Sequence, residues 1–423
     1  MIEKIKKLLS SKVLKNGIWL TILQLVNTVI PVITIPYVTR ILGTNEYGVF
    51  SIALNWILYL QVLVEYGFGL SGSRKVALLS DSENGQLNKL FNNIISARIL
   101  LLIVSGIILN IVCWGFNFDL QAYICMLILF IMIIGTTFQL TWLFQGKQDM
   151  KFITIINALS RFISVILIFL LVKKPNDVYL YCVLYSITLL LSSTISMIVA
   201  KKKYNLQFRF ARFENIKREF KDGFYLFTSS AMTKIFSGFG VTILGIYTTA
   251  SITGIFSAIY KIPYVLTMFF SPISQAIYPF ISQKYVEGYD VGEKYVKKIG
   301  IPIFMIFSIF SIPIIIFNKY IIDILFGVDY SNYSIIVVPL VIQFLFAIIN
   351  NFIGIQTLVA SGKQKNYSKA FAVGCIAIVI SNTFLGKFYG IYGVSIAAPV
   401  GEFVLTLSLM LQLKKIKKES END

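Results

Sequence analysis

Apolar side chains run through this sequence in long blocks, and polar residues appear mostly as short basic interruptions. A helix needs about 20 apolar residues to cross roughly 30 Å of hydrocarbon. Twelve stretches of that kind predict helices, near 16–38, 48–70, 89–113, 121–144, 152–172, 178–200, 223–247, 254–283, 296–317, 333–360, 367–386 and 391–413. Polar residues inside them are patterned. Ser257, Lys261, Tyr264, Ser271, Gln275 and Tyr278 keep the three-and-four spacing of one helix face, as do Ser230, Lys234 and Ser237. In a bilayer such a stripe has to turn towards protein or water.

Composition agrees with a membrane solvent. The 423 residues are 57% hydrophobic and 14% charged, with mean hydropathy +0.77, which leaves too little polar surface for a water-soluble fold of this length. The chain has no histidine, so imidazole catalysis and histidine metal sites are excluded. Cys113, Cys125, Cys182 and Cys375 lie in or beside apolar runs without CxxC spacing and are expected as small buried hydrophobes. No catalytic constellation and no Walker motif appears. An enzyme is therefore not expected, nor a cofactor or a metal. The first apolar run is too long for a signal peptide, so the N-terminus is expected to be mature.

Charge then orients the helices. Most of the 38 Lys and Arg fall on one side: Lys4, Lys6, Lys7, Lys12 and Lys15; Arg74, Lys75 and Lys89; Lys147 and Lys151; the run "KKKYNLQFRFARFENIKREFK"; and the later clusters around Lys294, Lys365 and Lys414. The opposite side holds Arg40, Lys173, Lys174, Lys319 and Lys387. Positive charge marks the cytoplasmic side, so both termini are expected there. The net charge of +18 is thus a topology signal, and its dispersal over short loops argues against nucleic acid as a partner. Asp81 and Glu83, in the loop 71–90, read as part of a solvated turn, and 318–333 reads as the longest external loop.

The chain also repeats itself. A shift of 206 residues lays "KNGIWL" (15–20) on "KDGFYL" (221–226) and "YGVFSI" (47–52) on "TGIFSA" (253–258), and a shift of 216 lays "QGKQ" (145–148) on "SGKQ" (361–364). The fold class expected is all-α integral membrane, with twelve transmembrane helices in two six-helix lobes related by a pseudo-two-fold axis along the membrane normal. Residues 1–200 form the N-terminal lobe, 201–222 a basic amphipathic cytoplasmic connector lying on the leaflet, 223–413 the C-terminal lobe and 414–423 a cytoplasmic tail.

Four basic residues are left inside spans: Arg98, Arg161, Lys234 and Lys261. Arg98, two turns from a cytoplasmic helix end, is expected to snorkel to the interface. Each of the others sits deep, at about 2.5 to 3.5 kcal/mol on insertion scales, and needs a cavity, a partner or a ligand. Glu65 and Glu402 are the comparable acids, candidates for charge pairing or ion coupling. Two acids cannot neutralise all the cations, so an anionic ligand is expected, and guanidinium and ammonium donors suit phosphate oxygens. Pro31 and Pro36 are expected to break the first helix, and Pro263, Pro272 and Pro279 the eighth; they are candidate hinges.

The run "IPVITIPYVTRILGTNEYGVFSIA" followed by "LVEYGFGLSGSRKVA" resembles the polysaccharide-exporting flippases of the MOP superfamily, the Wzx-type O-antigen and capsule repeat-unit translocases. The shared pattern is Pro-Tyr-x-x-Arg-x-Leu-Gly, then Tyr-Gly-x-Phe, then Tyr-Gly-Phe-x-Leu-Ser. The resemblance implies alternating access in a bacterial cytoplasmic membrane and a polyprenyl-diphosphate-linked oligosaccharide as substrate. It implies cationic residues at the diphosphate, with Arg40 at the matching motif position. It also extends the expected partners to membrane lipids and to polysaccharide polymerase and chain-length regulator proteins. A related antiporter of the MATE type, which takes organic cations, expects carboxylates in the first helix, and none lies between 16 and 38. A non-transporting scaffold would have no need of buried charge.

Overall fold

The computed structural model describes residues 12–79 and 84–422, so Lys4, Lys6, Lys7, Asp81 and Glu83 lie outside the described residues. All regular structure among the described residues is helical: α1 (Lys12–Glu65), α2 (Phe68–Ala77), α3 (Asn84–Gly115), α4 (Leu120–Leu129), α5 (Ile131–Phe138), α6 (Thr141–Gly146), α7 (Met150–Leu171) and α8 (Val178–Tyr204). There follow α9 (Phe213–Tyr247), α10 (Ala250–Ile259), α11 (Lys261–Glu287), α12 (Tyr289–Ile316), α13 (Asn318–Phe326), α14 (Val328–Ser331), α15 (Val337–Asn350), a π-helix (Asn351–Val359) and α16 (Gln364–Asn422). Among the described residues ten helical runs are long and apolar enough to cross a membrane, two of them, Lys15–Ala77 and Gln364–Ile416, being 63 and 53 residues long. Large apolar side chains such as Ile33, Ile111, Ile309, Phe310 and Phe384 stand exposed, as lipid contact allows and water does not.

Helix breaks are not where proline suggests. α1 continues through Pro31 and Pro36 and leaves helical dihedrals only at Gly43, with φ 71° and ψ 179°, so the expected double break is corrected to a single one. Threonines add side-chain bonds along the same turns. Thr34 Oγ1 donates to the Ile30 carbonyl at 2.9 Å, and Thr39 Oγ1 to Ile35 at 2.9 Å and Pro36 at 3.0 Å, supplying bonds beside a weakened ladder. Pro272 and Pro279 likewise sit inside α11. Pro263 acts locally: having no N–H to offer Ile259, it separates α10 from α11 at Tyr260, which keeps helical dihedrals (φ −61°, ψ −19°).

Other expectations shift as well. The stretch 121–144 is three pieces, α4, α5 and α6, and 318–333 is mostly the short helices α13 and α14 rather than an open loop. The connector is divided. Lys201–Tyr204 finish α8, Asn205 turns the chain in the left-handed region (φ 54°, ψ 41°), 206–212 carry no regular structure, and 213–222 open α9. Along 206–212 the backbone N–H groups of Gln207, Arg209 and Ala211 donate to Asn88 Oδ1, Asn92 Oδ1 and Ser96 Oγ of α3, each at 2.9 Å. Four helical residues rise about 6 Å and two extended residues about 6.6 Å, so the two periods stay in register.

The chain packs as two compact units, the first made of 1–42 and 52–234 and the second of 43–51 and 235–423. In the first, Trp142, Phe68, Phe144, Ile94 and Ile95 are fully buried. Gly67, in the left-handed region with φ 74°, and Gly223 let α9 approach the turn after α1 closely, since an added Cβ on Gly223 would lie 2.7 Å from the Tyr66 carbonyl oxygen. Tyr66 then stacks on Phe227 with centroids 4.6 Å apart. In the second, segment 43–51 packs on α10 with Ser251 Oγ donating to Thr44 Oγ1 at 2.7 Å. All four cysteines are free and buried.

Candidate functional site

In the first unit the broken run α5–α6 creates an unusual demand. Gln139 (φ −72°, ψ 127°) and Leu140 (φ −106°, ψ 29°) leave the helix, which frees carbonyls where lipid offers no donor. Arg98 of α3 meets the demand: its Nη1 donates to the Thr136 carbonyl at 3.2 Å and the Gln139 carbonyl at 2.8 Å. Only 4% exposed, it does not snorkel. The earlier expectation fails because its partners lie in the protein interior rather than at the interface.

Arg98 forms one wall of a cavity of about 280 Å³. Glu65, Thr136 and Gln139 line it with Arg98, while Leu70, Gln145 and Ser230 are exposed lining residues on its open side. Glu65 is held by Gln61, whose Nε2 donates to its carboxylate at 3.0 Å. A polar network continues from the cavity wall. Gln139 Nε2 donates to Asn157 Oδ1 and to Ser192 Oγ, both at 3.4 Å, and Ser192 Oγ donates to Asn157 Oδ1 at 3.2 Å.

The other basic residues are held separately. Arg161, one turn along α7 from Asn157, donates through Nη1 to Asn27 Oδ1 at 2.6 Å, which ties α7 to α1. Lys234 places its ammonium 5.6 Å from the centre of the Tyr59 ring, a cation–π arrangement that partly replaces lost water. Arg40 is exposed, one turn beyond Tyr37 and three residues before the break at Gly43. Tyr37 OH donates to the Val172 carbonyl at 2.8 Å. None of Arg40, Arg161 and Lys234 lines the cavity; of the residues expected from sequence only Glu65 does, joined by Arg98. The clue in sequence was the polar patch "TTFQLT" (136–141) inside an apolar run.

The second unit carries Lys261 and Glu402. Lys261 lies 5.7 Å from the Tyr264 ring centre, one turn on. Glu402 is buried on α16, where Asn350 Nδ2 donates to its Oε2 at 2.7 Å and to its carbonyl at 2.9 Å, and Thr406 Oγ1 donates to Asn350 Oδ1 at 2.7 Å. Next door, Ser274 Oγ donates to Asn351 Oδ1 at 2.8 Å and Gln356 Nε2 to the Ser274 carbonyl at 2.9 Å. Both clusters meet the π-helix at Asn351–Val359, a distortion frequent at functional sites.

Long lipid-facing helices enclosing charged and amide side chains define a multi-pass membrane protein with a polar interior. Residues 13–285 match the family described as polysaccharide biosynthesis protein, and the chain belongs to that family. It is 28% identical to a putative O-antigen transporter of Escherichia coli (strain K12), over 96% of this chain and 97% of the relative. In fold it is similar to the lipid II flippase MurJ in an inward closed conformation, with TM-score 0.71 and 16% identity over 95% of this chain and 87% of that one. It is also similar to an inward-facing MATE family multidrug resistance transporter of the MOP superfamily, with TM-score 0.69 and 12% identity over 96% of this chain and 99% of that one.

Proposed function

We propose that this protein is a flippase that moves a polyprenyl-diphosphate-linked oligosaccharide repeat unit from the cytoplasmic to the outer leaflet, by alternating access, for a surface polysaccharide. The similarity to a protein named as a putative O-antigen transporter, which runs over 96% of the chain, carries this reading. The charge inside the helices supports it: Arg98, Arg161, Lys234 and Lys261 stand against Glu65 and Glu402. Such a surplus costs insertion energy and suits a diphosphate. Arg40, Arg161, Lys234 and Lys261 are the groups assigned to it.

Alternating access fits a twelve-crossing, two-lobe fold. Lys15–Ala77 and Gln364–Ile416 are each long enough for two crossings, with breaks at Gly43 and Gly390. Residue 249, 206 positions after Gly43, is Thr249, the N-cap of α10, so the helix breaks recur at the repeat offset. A pseudo-two-fold relation of six-helix lobes accounts for this, with Pro31, Pro36, Pro263 and Pro272 as bending points and both termini cytoplasmic by the positive-inside bias. An inside-negative membrane favours outward movement of the anionic headgroup by about 2.3 kcal/mol per charge per 100 mV. Glu65 or Glu402 would carry any ion coupling.

Deletion of the gene tests the reading. Lipid-linked repeat units are expected to accumulate on the cytoplasmic leaflet while surface polysaccharide is lost. Intact polysaccharide with loss of drug resistance would instead favour a cation antiporter.

A further inference from the structure

We infer that the cavity beside Arg98 in the first unit is a sugar-reading subsite, which takes a neutral polyhydroxylated ring of the substrate and not its diphosphate. The inference rests on the flippase reading and assigns a part of the substrate to a place. Charge is the first argument. The lining contains one acid, Glu65, and one base, Arg98, and Nη1 of that base is engaged by the Thr136 and Gln139 carbonyls. No surplus of either sign is left for a diphosphate or an organic cation.

The remaining chemistry is that of hydroxyl recognition. Gln145 and Ser230 each offer a donor and an acceptor, Gln139, whose Nε2 is engaged by Asn157 and Ser192, offers its amide oxygen, and the Glu65 carboxylate accepts. A sugar hydroxyl also donates and accepts, so this mixed lining can satisfy it. Leu70, Trp142 and Leu226 complete the wall with apolar surface, which suits the C–H face of a pyranose. Size agrees too. A volume of about 280 Å³ lies just below the usual range for ligand pockets, roughly 300–1,000 Å³, enough for one monosaccharide and too small for an oligosaccharide or a polyprenyl chain. Gln145 and Ser230 are exposed on the open side, where the rest of a chain-like ligand can lead away.

The test compares two lipids on the purified full-length protein by ligand-induced thermal stabilisation. One is lipid-linked oligosaccharide extracted from a host lacking this protein, the other undecaprenyl diphosphate. Wild type is expected to bind the sugar-bearing lipid at least about tenfold more tightly, since one or two hydrogen bonds of ordinary strength supply that ratio. In the double variant Gln145→Ala, Ser230→Ala, checked as monodisperse, the ratio is expected to fall towards one while affinity for undecaprenyl diphosphate is unchanged. Gln145→Glu, which keeps the side-chain volume, is expected to lower the ratio as well. Equal binding of both lipids by wild type, an unchanged ratio in the double variant, or a parallel loss of undecaprenyl diphosphate affinity overturns the subsite and leaves the flippase reading standing. Failure of wild type to bind either lipid overturns both.

Discussion

Gly48 and Gly254, 206 residues apart, lie backbone against backbone within the second unit, and the contact is reciprocal. A Cβ on Gly48 would overlap the Ala250 carbonyl, and a Cβ on Gly254 would overlap the Thr44 carbonyl. Residue 250 follows 44 by the same 206 positions as 254 follows 48, so the two contacts join residues at one sequence offset. Thr44-x-x-x-Gly48 and Ala250-x-x-x-Gly254 are both small-x-x-x-small pairs, the spacing that lets membrane helices approach closely.

Gly48→Ala and Gly254→Ala are each expected to destabilise the protein by about 3 kcal/mol or more, because the obstruction is backbone and cannot swing aside. Gly43→Ala is a useful contrast. Nothing lies within 4 Å of its added Cβ, and the cost is only that of holding φ 71° with ψ 179°, a region kept almost wholly by glycine, about 1 to 3 kcal/mol. Thermal unfolding in detergent should rank Gly43→Ala well above the other two, and comparable losses for all three would refute the packing account.

Arg98 is expected to act through the helix break it closes. Arg98→Ala strands the Gln139 carbonyl, served by Nη1 at 2.8 Å, and leaves the Thr136 carbonyl, served at 3.2 Å, with only the Gln139 N–H at 3.4 Å, a loss of about 3 kcal/mol for two charge-assisted bonds. Arg98→Lys keeps a donor but not the fork and should fall between the two. Hydrogen exchange of residues 136–142 is the readout, with faster exchange in Arg98→Ala and little change in the other helices. Uniform protection would show that the break stands without the guanidinium.

Why Arg98 reads from sequence as an interface residue and not an interior one is a matter of partners. Hydrophobic run length finds membrane helices because lipid demands about 20 apolar residues whatever the fold, so α3, α7, α8 and α12 follow the expected spans. The break at Gln139–Leu140 contains neither proline nor glycine, whereas Pro31 and Pro36 look like breakers and remain helical. In lipid the freed carbonyls must be answered by nearby side chains, and which side chain answers is tertiary information. Hence Glu65 and Arg98 are each recognisable as intramembrane charges, but their sharing of one cavity is not. Arg161 and Lys234 were recognisable as buried charges, yet Asn27 and the Tyr59 ring, which hold them, lie more than a hundred residues away.

Lys75 clamps the start of α9 to α2. Its ammonium lies 2.6 Å from Glu219, whose side chain is 5% exposed, and 2.8 Å from Asp222, which is 42% exposed. Lys75→Met leaves a buried carboxylate without its cation and is expected to cost about 2 kcal/mol. Adding Glu219→Gln should recover much of that loss, whereas adding Asp222→Asn should recover little, since an exposed carboxylate is solvated anyway. Apparent Tm values of the single and double variants give the coupling directly, and equal recovery from both second changes would contradict the burial argument.

Arg161, Lys234 and Lys261 provide the test of the anionic-substrate reading. Each is held by contacts that a neutral side chain of similar length can partly replace: Asn27 for Arg161, and the rings of Tyr59 and Tyr264 for the two lysines. Lys234→Met and Lys261→Met keep the apolar stem against the ring and remove the ammonium, and protein levels are expected to stay near wild type. Arg161→Gln keeps a donor for Asn27. If these cations meet a diphosphate, each variant should cut surface polysaccharide about tenfold, the effect of removing roughly 1.4 kcal/mol of charge-assisted binding. Lys234→Arg and Lys261→Arg should retain most of the export, because charge and not shape is then the requirement. Full export by the triple neutral variant, at normal protein level, would remove the diphosphate from these positions.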